Sequence, residues 1–425
     1  MREKIKKITP DFIKEIYKKL RYACITALFC VFRILPVDKK KVALSGVWGY
    51  GDNTAAVAES LVKSVETGAG HYRNISVYYI TKHTDTVPKG KITAVKDNSL
   101  KSIKVLATAG IWVDCNHKEG YIRKRKGQFY IQTWHGGIAL KKIEHDVPSL
   151  GKKYLMMSEH DNDMVDLYIS NSDFCTQMYK RAFMAKCGII APGSPRNDIF
   201  VIRDDKLDAK AKMEFLKKQK ICSYDNSRLN EKAASGISDI KVALYAPTYR
   251  SDKNYNYMSL DLKNVKKEFE KKYGGIWLFV LKLHPLVSAA LSESLSSFIN
   301  AQNTKEKFVF DASSSGDLYE ILRFSDILIT DYSNTMFEFA LAGRPVFLYA
   351  DDVKAYSKER GMYFNYADLP FPEASDAEEL INNIAGYEPA EYVTKQQDFL
   401  KKCGISETGH AAQKIVDIIL SRIED

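Results

Sequence analysis

Apolar and polar positions along this chain follow two alternating periods, and that alternation predicts its elements. Short, nearly continuous apolar runs recur at Lys41 to Ser45, Ile75 to Ile80, Gly110 to Asp114 and Gln128 to Thr133, with a further strand expected around Val95. Such runs read as strands. Between them, Asp52-Asn53-Thr54 caps a helix running through Val65, and Leu100 to Ala107 has helical spacing. Residues 161–200 repeat the pattern as a helix, a strand at Leu167 to Ser170, a helix from Asp173 and a strand at Ile189-Ile190. A second series begins at Lys241 to Tyr245 and continues with Trp277 to Leu283, Phe308 to Asp311, Ile327 to Thr330 and Val346 to Tyr349. A last helix, His410 to Ile423, closes the chain. Strands alternating with helices predict an α/β protein with parallel sheets.

The two series are separated by a polar, Lys-rich helical stretch at 204–220 and a Ser/Asn/Asp segment at 223–238, a composition shift suited to an interdomain boundary. A chain of 425 residues also exceeds the roughly 250–300 residues at which one core stops growing. The expected organisation is a helical segment over 1–36, a Rossmann-like domain over 37–203, a second over 204–392 and C-terminal helices over 393–425. Parallel sheets of the two halves would face a cleft.

Charge changes the picture mainly at the N-terminus. The net charge of +10, from 63 Lys+Arg against 53 Asp+Glu, suits a phosphate-rich or anionic partner. No interleaved aromatic and basic signature points to nucleic acid. Lys4, Lys6, Lys7, Lys14, Lys18, Lys19 and Arg21 precede the apolar run Tyr22 to Val31. That run is about ten residues against the ~20 needed to span a bilayer. The expectation is a basic amphipathic helix lying on an anionic membrane surface, peripheral rather than spanning. The basic run Lys118 to Lys126 reads as a solvated loop. Seven cysteines without CxxC spacing and eight histidines without HxxxH or HExxH argue for a reducing compartment and against a structural metal. Asp351-Asp352 reads as a helix cap rather than a metal pair.

Candidate chemistry falls just after predicted strands. Ser333-Asn334-Thr335 follows the strand Ile327 to Thr330 and has the residue types of a helix N-terminus, with a carboxylate at Glu338 and a helix expected as far as Gly343. Unpaired N–H groups and the helix dipole make such an end a phosphate cradle. Trp134-His135-Gly136-Gly137 follows the strand 128–133, placing a residue that titrates near neutrality beside open backbone. Pro247-Thr248 and Lys282-Leu283-His284-Pro285 end two strands of the second half. Gly193-Ser194-Pro195-Arg196-Asn197-Asp198 closes the first half with an arginine suited either to phosphate or to a hinge salt bridge. No GxxxxGK[ST] or GxGxxG occurs, so ATP hydrolysis and hydride transfer lose support.

Together these loops resemble the CDP-glycerol glycerophosphotransferase family, the polymerases and primases of teichoic acid and related capsule backbones. The matching elements are QTWHGG (132–137), GSPRND (193–198), YAPTYR (245–250), KLHP (282–285), TDYSN (330–334) and RGMYFNY (360–366), in family order. The resemblance implies a GT-B-type fold and transfer of a polyol phosphate from CDP-glycerol, or another CDP-polyol, to an acceptor hydroxyl, releasing CMP without a cofactor. It implies a lipid-linked or polymeric polyol-phosphate or glycan acceptor and a peripheral place on the cytoplasmic face of the cell membrane. Carried onto this chain, His135 would be the general base and His284 a second catalytic group. Trp134, Gly136, Gly137 and Ile138 would lie at the reacting phosphate, Arg196 on the diphosphate, and Pro247, Thr248, Lys282 and Leu283 along the nucleotide. Ser333 and Asn334 would hold a phosphate and Glu338 the ribose. Three departures stand out. Gly137-Ile138 replaces the family's usual Thr-Pro, Asn334 replaces the second Ser of a pair, and Glu338 replaces an Asp. The first of these leaves the identity of the polyol open. The alternative is a nucleotide-sugar glycosyltransferase of the same fold; a non-catalytic polyol-polymer binder is a third reading.

Overall fold

The computed structural model describes residues 11–46, 49–68, 74–219, 239–250, 255–304, 306–314 and 317–424. The whole Ser/Asn/Asp segment at 223–238 and the first ten residues therefore lie outside the described residues.

Two parallel sheets carry the molecule. The first has seven strands, β1 (Asp38–Gly46), β2 (Ser76–Thr81), β3 (Ile92–Lys96), β4 (Ala109–Asp114), β5 (Phe129–Gln132), β6 (Leu167–Ile169) and β7 (Gly188–Ile190), in the order β3-β2-β1-β4-β5-β6-β7. The second has six, β8 (Ile240–Tyr245), β9 (Ile276–Leu281), β10 (Val309–Asp311), β11 (Ile327–Thr330), β12 (Val346–Tyr349) and β13 (Glu373–Ala374), in the order β10-β9-β8-β11-β12-β13. Strand order reverses beside β1 in one sheet and beside β8 in the other. At such switch points neighbouring helices leave on opposite faces and open a crevice beyond the strands' carboxyl ends.

The apolar runs become these strands because both faces are covered. Val42 and Leu44 pack on one face of β1 and Ala43 on the other, all without exposure. The second sheet repeats this with Val242 and Leu244 against Ala243 and Tyr245. Continuous hydrophobic strands, rather than alternating ones, are what two-sided burial requires.

Three segments join the halves. Residues 138–142 run from the first domain onto the second, burying Ile138 and Leu140 in a core shared with Leu244 and Leu328. Tyr363 N–H donates to the Leu140 carbonyl at 2.8 Å and Lys142 N–H to the Gly361 carbonyl at 3.1 Å. The helix Pro389–Lys402 packs beneath Thr335–Ala340, with Phe399 stacked on Phe337 at 5.5 Å. The final helix, Ala411–Glu424, returns to the first sheet, where Ile415, Val416 and Ile419 join the core of Val42 and Leu61.

The N-terminal helix spans Asp11–Phe32. Its second half packs on the first domain through Phe29, with Ile25, Leu28 and Phe32 partly buried. Its first half leaves Phe12, Ile13, Ile16, Tyr17 and Leu20 exposed. Among the described residues no helix is long and apolar enough to cross a membrane. The basic loop departs from expectation. Lys118 is only 5% exposed, pairs with Asp114 and lies over the rings of Trp112 and Tyr130. Asp352 also differs, because its carboxylate turns away from the helix Val353–Arg360 to bind Arg250 and Tyr332.

Candidate active site

The loop after β5 carries Trp134 and His135. Trp134 has φ +52°, in the left-handed region that residues other than glycine rarely occupy and that clusters at functional sites. Three bonds hold it there. Its N–H donates to Gln132 Oε1 at 2.9 Å, its carbonyl accepts from Asn53 Nδ2 at 2.9 Å, and that carbonyl also accepts from the Thr133 hydroxyl at 3.1 Å. The Trp134 ring lies 4.2 Å from the His135 ring.

His135 Nδ1 is 2.8 Å from the Cys115 carbonyl at the end of β4. A carbonyl only accepts, so Nδ1 carries the proton and Nε2 keeps its lone pair. The residue is exposed to the cleft. Desolvation by the surrounding protein, helped by the Arg196 and His117 charges, lowers its pKa below 6.5, against an opposing pull from Asp52. A neutral imidazole with a free Nε2 at pH 7 is a competent general base.

Behind Trp134 lies a residue the sequence reading missed. His117 Nδ1 meets Asp161 Oδ2 at 2.9 Å and its Nε2 meets Glu144 Oε2 at 3.1 Å, and its ring sits 5.1 Å from that of Trp134. Burial alone would depress its pKa, but two carboxylates raise it to about 9. Both ring nitrogens therefore donate.

In the sequence Asn53 stands only as part of the cap Asp52-Asn53-Thr54. It is 1% exposed and ties two functional loops together. Its Nδ2 holds the Trp134 carbonyl, while its Oδ1 accepts from the Arg196 N–H at 3.1 Å. No local signal marks this role, because the bonded residues lie 81 and 143 positions away.

Arg196 is buried and occupied. Its Nη1 donates to Asp52 Oδ1 at 2.8 Å, its Nη2 donates to Glu338 Oε1 at 2.6 Å, and its guanidinium lies 4.6 Å over the Tyr319 ring. Burial opposes its charge, and the two carboxylates more than offset that. The other oxygen of Glu338 accepts from the Tyr319 hydroxyl. Glu338 is 2% exposed, so both its oxygens serve the domain junction. The Arg196 loop is braced from behind by Glu407, which accepts from Asn171, Asn197 and the Ser194 N–H at 2.7–3.0 Å and whose pKa burial pushes up to about 7.

In the second domain, Asp331 at the end of β11 is wholly buried and accepts from the Thr248 N–H at 2.8 Å and from Arg250 at 2.8 Å. Arg250 in turn forks onto Asp352 and lies over the rings of Tyr255, Tyr332 and Tyr356. Arg250 also donates to the Thr248 carbonyl at 2.7 Å, so the clamp fixes the Thr248 backbone. The Thr248 hydroxyl is buried and meets no partner among the described residues. Ser333 Oγ accepts from the Thr335 hydroxyl at 2.8 Å. Asn334 faces the other domain, its Oδ1 accepting from the Leu140 N–H at 3.1 Å. At the end of β9, Lys282 Nζ donates to the Ala312 carbonyl at 2.9 Å, Leu283 is core, and His284 sits 5.3 Å from the Tyr249 ring. The helix expected to reach Gly343 is Thr335–Ala340, followed by a turn with Gly343 at φ +64°.

His135 and Asn334 thus meet across the cleft, at a cavity of about 180 Å³ lined by Trp134 through Gly137, Ala139, Lys141, Ile143, Met178 and Asn334. Gly136 and Gly137 are small by necessity: a Cβ on Gly136 would lie 3.3 Å from Asn334 Nδ2, and one on Gly137 only 2.2 Å from Asn171 Nδ2. Ile138 does not line this cavity, since its side chain enters the interdomain core. Among the described residues no group of His, Cys, Asp and Glu has the arrangement of a metal site.

Two domains, each built on a parallel sheet and meeting at a cleft, have the architecture of the GT-B class. Residues 27–421 match the family described as CDP-Glycerol:Poly(glycerophosphate) glycerophosphotransferase, and the chain belongs to it. It is 28% identical over 425 residues to a teichoic acid poly(glycerol phosphate) polymerase of Bacillus spizizenii, covering 95% of this chain and 98% of that protein. A polymerase of the same description from Staphylococcus epidermidis is 30% identical over 88% of this chain, which spans about half of that protein, 49%. A solved structure of the wall teichoic acid polymerase TagF is similar at a TM-score of 0.74 and 27% identity, over 97% of this chain and 98% of that one.

Proposed function

We propose that this chain transfers glycerol phosphate from CDP-glycerol to a hydroxyl of a teichoic acid or capsule-type acceptor and releases CMP. The observation that carries the reading is the His135 tautomer, with Nδ1–H committed to the Cys115 carbonyl and Nε2 available at a cleft whose far wall is Asn334. In the step, the acceptor oxygen attacks the phosphorus that bears the glycerol. The bond from that phosphorus to the bridging oxygen breaks, CMP leaves with the electron pair, and the acceptor proton passes to His135 Nε2. Charge gathers on the phosphoryl oxygens during transfer, so fixed donors dominate the stabilisation. Ser333, the Thr248 hydroxyl, Lys282 and His284 are the groups at the second sheet's edge suited to the CDP moiety. Arg196 and Glu338 act one step back, holding the domains in register.

The acceptor is a polyol-phosphate chain, at its start lipid-linked, and the enzyme works peripherally on the cytoplasmic face of the membrane. Supporting that place are the exposed Phe12, Ile16, Tyr17 and Leu20 set among Lys14, Lys18, Lys19 and Arg21 on one helix, together with six described cysteines that are all unpaired. The direct test is nucleotide release from CDP-glycerol, CDP-ribitol and UDP-sugars in the presence of a lipid-linked acceptor, with products weighed by mass spectrometry. CMP release with acceptor growing by glycerol phosphate units is expected; UDP release from a UDP-sugar would overturn the reading.

A further inference from the structure

His117 stands behind the loop that carries Trp134 and His135, and its contacts are those of a fixed cation. Its side chain is 5% exposed, and a carboxylate oxygen meets each ring nitrogen, Asp161 Oδ2 at Nδ1 and Glu144 Oε2 at Nε2. A carboxylate only accepts, so both nitrogens carry protons and the ring is an imidazolium. Three aromatic rings surround it, Trp134 at 5.1 Å, Tyr154 at 6.1 Å and Phe183 at 6.1 Å, about the spacing at which aromatic rings favour a cation. The two carboxylates are committed as well. Asp161 also accepts from the Lys118 N–H and the Tyr130 hydroxyl, and Glu144 from the Tyr154 and Ser158 hydroxyls. Glu144 has φ +49°, a costly conformation for a residue other than glycine, so its side-chain bonds hold that turn too.

Two routes run from this cation to His135. The first is through the backbone. His117 and Lys118 pin the loop after β4 to Asp161, and the same loop supplies the Cys115 carbonyl that accepts from His135 Nδ1–H. Its Asn116 carbonyl accepts from Gln132 Nε2 at 3.1 Å, and Gln132 Oε1 accepts from the Trp134 N–H. The second is through charge. The Trp134 ring touches both imidazoles, 5.1 Å from His117 and 4.2 Å from His135, and a cation held there opposes a second positive charge on His135. We infer that His117 is a positioning residue for this active site, fixing the Cys115 carbonyl and Trp134 and keeping His135 neutral by its own charge. The inference rests on His135 being the base of the transfer proposed above, because His117 acts only through it.

The charged and titratable groups packed round His117 are Asp161 and Tyr154 from the helix Lys152–Asn162, Glu144, Tyr130 of β5 through its bond to Asp161, the Lys118–Asp114 pair and, across Trp134, His135. Nitrogen NMR of isotope-labelled histidines reads the two imidazoles directly, with signals assigned by their loss in His117→Gln and His135→Gln. In wild type at pH 7 both His117 nitrogens should be protonated. In His117→Gln the His135 titration midpoint should rise by roughly half a pH unit or more, because a repelling charge is gone. The acid limb of kcat/KM for CMP release should rise with it. In the same variant kcat should fall on the order of 10–100-fold, the effect of a base displaced by about 1 Å, with little change in the KM for CDP-glycerol. A merely structural residue would lower the active fraction without moving the limb. The double variant His117→Gln with Glu144→Gln removes the cation and one carboxylate together, strands less charge, and should give the same shift. A neutral His117 in wild type, an unmoved His135 midpoint in either folded variant, or failure of both variants to fold overturns the inference. A wild type that releases no CMP from CDP-glycerol while both histidines titrate as stated removes the proposed function alone.

Discussion

Arg196 and Glu338 meet at 2.6 Å across the two domains, 142 positions apart in the sequence. Neither is open to solvent, and Asp52 at 2.8 Å and the Tyr319 ring complete the arginine's surroundings. The pair does for the domains what a hinge pin does for two plates, because separating them would strand a buried charge. Removing one partner of a buried pair costs more than the pair itself contributes.

Glu338→Gln should therefore lower unfolding free energy by roughly 3 kcal/mol, the low end for a broken buried pair because Asp52 remains. Urea denaturation measures it, and a loss below about 1 kcal/mol, the size of an exposed pair, contradicts the role. CMP affinity of the folded variant should change little, as both Glu338 oxygens are already occupied by protein donors.

His135→Gln should reduce CMP release by roughly 10²–10⁴-fold, the usual cost of a positioned base, with CDP-glycerol affinity nearly intact. Desolvation disfavours the imidazolium, so the folded pKa lies below 6.5 and the base form persists to lower pH. The acid limb of the wild-type kcat/KM profile should therefore fall below pH 6.5. The same sign holds for stability: the contribution of the neutral ring is present above pH 6.5 and lost as pH falls further. An acid limb above pH 7 would contradict the geometry.

Asn53→Asp keeps the acceptor for the Arg196 N–H and replaces the donor to the Trp134 carbonyl by a repelling oxygen. Trp134 would relax from its left-handed conformation and carry His135 with it. A shift of about 1 Å at a reacting group costs ~10²-fold, so kcat should drop by that order with KM little changed. A variant that raises KM at unchanged kcat would mean Asn53 serves binding alone.

Ile16→Glu with Leu20→Glu puts two carboxylates on the exposed half of the Asp11–Phe32 helix. Sedimentation with vesicles rich in anionic lipid should be lost, with CMP affinity unchanged. Persisting sedimentation would place the membrane contact elsewhere.

The strands were legible because two-sided burial writes continuous apolar runs, and the loops because Pro, Gly, Ser and Asn mark the ends of those runs. His135, Ser333 and Asn334 can be picked out for that reason: each sits three or four residues past a strand's end, where any parallel sheet opens its crevice. The partners of charged groups could not. Arg196 reads in sequence first as a phosphate ligand, with a hinge salt bridge as the alternative, and only folding brings Asp52 and Glu338 to it. Lys118 looked solvated within a basic run until Asp114 and two aromatic rings enclosed it. His117 and Asn53 gave no local sign at all. Period and turn chemistry act over a few residues and survive in one dimension. Ion pairing, burial of a lone polar side chain and the assembly of a cavity from two domains depend on contacts between distant segments. The sequence thus determined the α/β halves, their edge loops and the family, and the tertiary structure decided which of those loop residues face a substrate and which hold the domains together.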